Sequence, residues 1–486
     1  MRKAGSDALG AVISRAARRT LCRFVLPVLG MFAAALIVSV ATATASSYTI
    51  TPGGASVTAK TTTSGENATL RFSGTAGQRV SLKMANVTIG TSLCCSTKVS
   101  IIKPDGTNLV APTYIGRRGG FFDTRTLPVT GTYRIFVDPQ GTVTGSMTLT
   151  LFDVPPDASP AIAADANPVT ATTTVPGQNM RLPFTGTMGQ KVSLAIGANA
   201  IGTSTTSSMT VSILKPDGTA LTTAVTMGSS GGFVEPVTLP VTGVYTILVD
   251  PQKMDFGSLT VTAYDVPANP SLPITAGGSA VTLTTTAPGQ NAYATFTGTL
   301  NQRVSVGLTN ASFSGPSFPT AKVTILKPDG TALFTPVSFG NAGYFVDLQT
   351  LPVAGTYKIF VDPQNTTTGN VDVTLYTVPA DVSSTIASNG SPVSVATTTP
   401  GQNAKLTFSG TAGQTVTVTL SNVTIGSDCC SSVGVYVKTA AGATVANSFF
   451  GTNGGSFQAV LPSTATYTIF VDPQGAATGG ANIDLS

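Results

Sequence analysis

The sequence predicts an all-β protein: four tandem antiparallel β-sandwich domains, of jelly-roll or immunoglobulin-like kind, behind an N-terminal export signal. Three observations lead there. A phrase returns at a domain-sized period, the segments between its occurrences alternate apolar and polar residues, and the chain starts basic and then turns apolar. The phrase "TYRIFVDPQG", residues 132–141, returns as "VYTILVDPQK", "TYKIFVDPQN" and "TYTIFVDPQG". Its aspartates, Asp138, Asp250, Asp362 and Asp472, are 112, 112 and 110 residues apart, the length of a domain and not of a solenoid repeat. "SGEN" at Ser64 becomes "PGQN" at Pro176, Pro288 and Pro400, and "FSGTAGQ" from Phe72 recurs with variations from Phe184, Phe296 and Phe408. The boundaries follow as 46–156, 157–268, 269–380 and 381–486. Between the copies, "DVPPDASP", "DVPANPS" and "TVPADVS" are short and contain proline, which reads as stiff joints.

Within a copy, "SVTAKTTT", "ATLRFSG", "RVSLKM", "KVSIIK", "GFFDTRTL", "TYRIFVD" and "SMTLTLFDV" are rich in Val, Ile, Thr and aromatic residues at period two. That is the signature of half-buried strands. The turns between them have their own chemistry. In "KPDG", at Lys103, Lys215 and Lys327, proline presets φ at the second turn position and glycine tolerates the positive φ that follows. In "DPQ" the aspartate is expected to bond its own downstream backbone while proline ends the strand. Tyr133, Tyr245, Tyr357 and Tyr467 each enter a strand after a turn, as the tyrosine of a Greek-key corner does. In the fourth copy "KTAAG" and "LPSTATY" replace "KPDG" and "LPVTGTY", which weakens the turn assignment there.

The N-terminal segment, residues 1–45, sets Arg2, Lys3, Arg15, Arg18, Arg19 and Arg23 before the 17-residue apolar run "FVLPVLGMFAAALIVSV" and the small-residue end "ATATASS". This is a signal peptide with cleavage after Ala45, or an uncleaved membrane anchor of minimal length. Either way the body of the chain leaves the cytoplasm. The segment holds six of the 26 basic residues and one of the 21 acidic ones, so the remainder carries 20 of each. A nucleic-acid partner needs a basic surplus, and none is left once this segment is removed.

The combined wording "PGQN…F.GT.GQ.VS…ILKPDGT.L…GGF…LPVTGTY.I.VDPQ" resembles the bacterial pre-peptidase C-terminal (PPC) type of β-sandwich domain, over residues from about 48 to 486. The resemblance implies a secreted or cell-surface accessory module, present in tandem and not catalytic.

The chain has no histidine, which removes Ser-His-Asp, Cys-His and imidazole chemistry. Asp105, Asp123, Asp138 and Asp153 read as turn and surface residues, since Asp138 recurs in every copy and Asp105 in three. No cofactor is expected; the carboxylate, amide and carbonyl oxygens of the "DPQ" loops are of the kind calcium takes, but these loops lack the dense Asp, Asn and Gly of a calcium loop. Tyr264 and Tyr376, which share a strand position with Phe152, read as core, whereas Tyr114, Phe318 and Tyr344 are the aromatics to test for sugar binding. Cys94, Cys95, Cys429 and Cys430 form two vicinal pairs after "NVTIG" in the terminal copies. They are candidates for strained vicinal bridges, thiols or links between molecules. The sequence thus supports a structural or adhesive array of the cell surface, in contact with an envelope or extracellular polymer and self-associating through the terminal cysteines. The alternative is a polysaccharide-binding accessory module that works with a separate extracellular enzyme.

Overall fold

The computed structural model describes residues 45–486 except residues 92, 94, 198, 203–207, 315–319 and 427–431. The expected export segment, the residues Cys94, Cys429 and Cys430, and Phe318 therefore lie outside the described residues. All helix or strand structure among the described residues is β-strand. The first copy contains β1 (Ser46–Thr49), β2 (Val57–Thr61), β3 (Ala68–Gly74), β4 (Arg79–Ala85), β5 (Thr97–Ile102), β6 (Asn108–Ile115), β7 (Gly120–Thr126), β8 (Gly131–Pro139) and β9 (Gly145–Asp153).

These strands form two sheets, ordered β1-β3-β8-β5-β6 and β2-β9-β4-β7. With β1 set aside, the eight remaining strands are shared between the sheets in jelly-roll order, β5 and β6 alone being consecutive within one sheet, so of the two sandwich types expected the strand order selects the jelly roll. The later copies repeat the order of these eight strands, the second without a counterpart of β1. One expectation is corrected. The sheets are not wholly antiparallel, because β1 runs parallel to β3 with Ser46 opposite Ala68. Ser271–Pro273 and Val382–Thr385 make the same parallel addition in the third and fourth copies. In the third and fourth copies the linker runs along the edge strand it reaches, so a parallel pairing satisfies its backbone groups without a reversal, whereas in the second copy only Ala158 bridges Met180 in this sense.

Alternation decides which side chains face inward. Along β8, Tyr133, Ile135 and Val137 are fully buried, and Leu70 and Phe72 of β3 meet them. Four separate core clusters result among the described residues, within residues 50–151, 162–263, 274–375 and 386–485. Each fully buried aliphatic side chain contributes about 1.5–3 kcal/mol. The four tyrosines are pinned at both ends. The Tyr133 ring stacks on Phe72 at 5.3 Å, and its hydroxyl donates to the Val129 carbonyl at 2.7 Å. Tyr245, Tyr357 and Tyr467 repeat the bond to Val241, Val353 and Ser463. Tyr264, Tyr376 and Phe152 do not follow the core reading: they are half-buried on the outer face, while Ala263, Leu375 and Leu151 take the inward places.

The turn aspartates divide into two groups. Asp105 accepts from the Thr107 amide at 2.8 Å and hydroxyl at 2.7 Å, which holds its carboxyl below the usual range, and Asp217 and Asp329 do the same with Thr219 and Thr331. The "DPQ" aspartates do not cap a downstream amide as expected. The next residue is a proline without an N–H, at which the strand ends as expected, and it is the Gln140 side chain that donates back to the Asp138 carbonyl and carboxylate. In the fourth copy the turn survives its change of wording, since the Gly442 amide donates to the Thr439 carbonyl with Gly442 at φ 86°.

Candidate functional site at the joints between copies

The outer face of β4 and β7 in one copy meets the "PGQN" loop of the next. The Ser81 hydroxyl is buried and donates to the Pro176 carbonyl at 2.7 Å; Ser193 and Ser305 repeat the bond to Pro288 and Pro400 at 2.8 and 2.7 Å. A β-bulge lies opposite each of these serines, between Val80 and Leu82, Val192 and Leu194, and Val304 and Val306. The bulge places Asp123 and Thr124 against one partner residue and aims them at the next copy. The Thr124 hydroxyl donates to the Gly177 carbonyl at 2.5 Å. In the fourth copy Thr417 replaces the serine, Gln458 stands alone opposite it, and the register runs unbroken. That missing residue is half of the shortfall from 112 to 110, a length signal that could have marked the bulge in the sequence.

The joints are fastened from the linker as well. The Gln178 side-chain amide donates to the Pro156 carbonyl and accepts from the Thr174 amide, and Gln290 and Gln402 do likewise with Ala268 and Thr286, and with Ala380 and Thr398. Asp157 is 15% exposed and bridges Arg79 of the first copy at 2.6 Å to Arg181 of the second at 2.9 Å. Asp381 joins Arg303 and Lys405 in the same way, whereas the middle joint uses the neutral Asn269. In the first copy Glu66 replaces the glutamine. Bonds from the Ser46 hydroxyl and from the Thr62 and Thr63 amides hold its carboxyl down to about 2.

Three of the four "DPQ" aspartates lie against these joints. Burial pushes the Asp250 carboxyl up, and Asp123 of the first copy adds like-charge repulsion. Burial does the same to Asp362, partly offset by Gln364 and Lys322, and burial with Asp362 raises Glu235. Asp472 is raised by burial and by Asp347 of the third copy, against Lys438 and Gln474. Extending the register by one residue sets Asn179, Asn291 and Asn403 directly opposite these acids, and the three asparagine Oδ1 atoms are buried without a hydrogen-bond partner.

A pH dependence follows. A carboxyl raised on folding stabilises the fold fully below its unfolded value, and that stability is lost as pH rises through the folded value. Acidification from neutrality towards the ordinary carboxylate range is therefore expected to raise the melting temperature, and Asp250→Asn, Asp362→Asn and Asp472→Asn together should flatten that rise. Glu66 works the opposite way, its contribution being lost only as pH falls below the ordinary range towards about 2. A melting temperature that falls steadily between pH 7 and 5 would contradict the assignment.

Beside the bulges, clefts open between copies. The one between the first and second copies is about 490 Å³ and is lined by Lys83, Arg118, Phe121, Asp123, Lys253 and Met254 among others. Its counterpart between the second and third copies is about 430 Å³, with Ala195, Ser230, Phe233 and Asn365 at the matching places. Of the aromatics singled out from sequence, Tyr114 is 53% exposed with Lys98 over its ring at 4.9 Å, and Tyr344 is 39% exposed. Sequence reasoning missed an outer-face cluster in the fourth copy. Tyr436 packs 6.0 Å from Phe449 and 6.3 Å from Phe470, and Lys438 lies 4.0 Å over Phe470. The available signal was Tyr436 at the outward place that Ser100, Ser212 and Thr324 occupy in the other copies.

No family model matches the chain, and no curated protein does. Among solved structures, the CUB1-EGF-CUB2 domain of human MASP-1/3 is 11% identical, covering 43% of this chain and 100% of that one, with a TM-score of 0.15. The M60 catalytic domain with CBM51-1 and CBM51-2 domains of Clostridium perfringens ZmpB is 9% identical, covering 89% and 55%, with a TM-score of 0.19. A biofilm-associated protein BSP domain is 9% identical, covering 86% and 94%, with a TM-score of 0.13.

Proposed function

We propose that the chain is a non-catalytic protein of the cell surface or extracellular space, four tandem jelly-roll domains behind an export signal, serving as a structural or adhesive array. The observation that carries this reading is the joint. The same serine-to-proline bond, with the same 95-residue separation, occurs three times, so each copy is held by its neighbour in a repeated geometry and not tethered loosely. The histidine-free sequence and the resemblance to PPC-type modules support the same conclusion. The strand β1 begins at Ser46, the first residue after the expected cleavage point, which suits a mature chain starting there.

Proteinase treatment of intact cells is the test. The chain is expected to disappear from whole cells without lysis, and its intact mass before treatment should correspond to a start near Ser46. Protection until the cells are broken would remove the surface reading. A full-length mass confined to membranes would instead make Phe24 to Val40 an anchor. A second reading, a polysaccharide-binding accessory module, is favoured by one observation, the aromatic-floored clefts at the joints.

A further inference from the structure

We propose that the cleft between the first and second copies binds an acidic polysaccharide. Lys83, Arg118 and Lys253 stand around Phe121 and Met254, with Asp123 the one acid lining the cleft. None of the three cations forms an ion pair among the described residues, whereas Arg79 and Arg181 nearby are committed to Asp157. The local surplus is notable in a chain whose residues after the export segment balance 20 against 20.

Lys253 shows that the charge is retained against a backbone penalty. It sits at φ 60°, at the turn position where the other copies place Gly141, Asn365 and Gly475 at φ 70°, 56° and 60°. Glycine and asparagine adopt that conformation readily, and a lysine there is strained. Strain kept at one copy of a repeated turn points to a role for the side chain.

The cleft's other features select the ligand class. At about 490 Å³ it falls in the range of ligand clefts, about 300–1,000 Å³. The next cleft keeps the aromatic floor as Phe233 but replaces the three cations with Ala195, Ser230 and Asn365, beside Thr260 and Thr262. A ligand with apolar ring faces, hydroxyls and spaced anionic groups fits both linings: the rings lie on Phe121 or Phe233, carboxylates meet the lysines and the arginine, and hydroxyls donate to Asp123 or bond the threonines. A repeating polymer would engage successive clefts with individually weak contacts that add through avidity. The proposal deepens the surface-array reading by naming its partner. Its test uses the purified four-copy chain, so it stands or falls independently of where the cell places the protein.

Affinity electrophoresis would be run through polygalacturonate, dextran sulfate, plain dextran and polyglutamate, at low and high salt. Polygalacturonate is expected to retard the chain, with the retardation fading at high salt and plain dextran having little effect. Dextran sulfate distinguishes the anion: equal retardation assigns the site to either acidic sugar, and weaker retardation assigns it to carboxylates. Lys83→Ala, Arg118→Ala and Lys253→Gly should each weaken retardation about two- to five-fold. Lys253→Gly should at the same time raise the melting temperature by relieving the turn, a combination that a purely structural lysine would not produce. The proposal is overturned by unchanged retardation in the triple variant, by equal retardation in plain dextran, by no retardation in any polymer, or by polyglutamate acting as strongly as polygalacturonate, which would assign the cleft to an acidic peptide.

Discussion

Tyr245→Ala is expected to destabilise the second copy by about 3–5 kcal/mol, the range for removing a fully buried aromatic side chain. Tyr245 is completely buried, stacks on Phe184 at 5.5 Å, and donates to the Val241 carbonyl at 2.6 Å while accepting from the Val241 amide. Two losses combine in the alanine variant, a cavity in the core and a corner whose backbone groups are no longer held. Tyr245→Phe separates them. It keeps the packing and removes the hydroxyl, for about 1 kcal/mol. Urea unfolding of the whole chain measures both, and it also reports on the joints. If the copies unfold independently, one transition moves to lower urea while the others stay; if the joints couple them, the neighbours shift too. An alanine variant indistinguishable from the parent would mean that this corner is not part of the folded core.

Gly177→Ala compared with Gly65→Ala isolates a joint. The two glycines hold the same place in "PGQN" and "SGEN", at φ 86° and 78°, so both substitutions carry the same left-handed penalty of about 1 kcal/mol. Their surroundings differ. A Cβ on Gly177 would lie 2.5 Å from the Thr124 hydroxyl and 3.1 Å from the Ser81 Cβ of the preceding copy, whereas a Cβ on Gly65 meets nothing within 4 Å. The Gly177 variant is therefore expected to lose about 1–3 kcal/mol more through overpacking. The loss should appear as weaker coupling between the first two copies and faster proteolysis of the linker after Asp157. Equal effects of the two substitutions would mean that the loop does not touch the preceding copy in solution.

The joint acids show how a repeat can mislead. Recurrence in all four copies suggested a turn role for Asp138, Asp250, Asp362 and Asp472, and recurrence is what a turn residue and a joint residue have in common. Only the three later members are covered by a preceding copy, and it is those three whose carboxyls burial raises. Identical words acquire different environments because environment depends on what packs across the joint, and the partner residues Asp123, Glu235 and Asp347 are remote in sequence.

What the sequence by itself determined is the local and periodic part. The alternation in "ATLRFSG" and "TYRIFVD" sets which side chains face inward, the glycine and proline words set the turns, and the 112-residue period sets the copies. These follow from properties of single residues and of near neighbours: Cβ direction, allowed φ and the missing proline N–H. Only the tertiary structure decided the jelly-roll strand order, the parallel β1, the bulge opposite Ser81, and the meeting of Lys83 and Arg118 with Lys253 in one cleft. Each of those depends on pairing between segments tens to more than a hundred residues apart. Such pairing is selected by the packing of whole faces against each other, a sum over many contacts that no short stretch encodes.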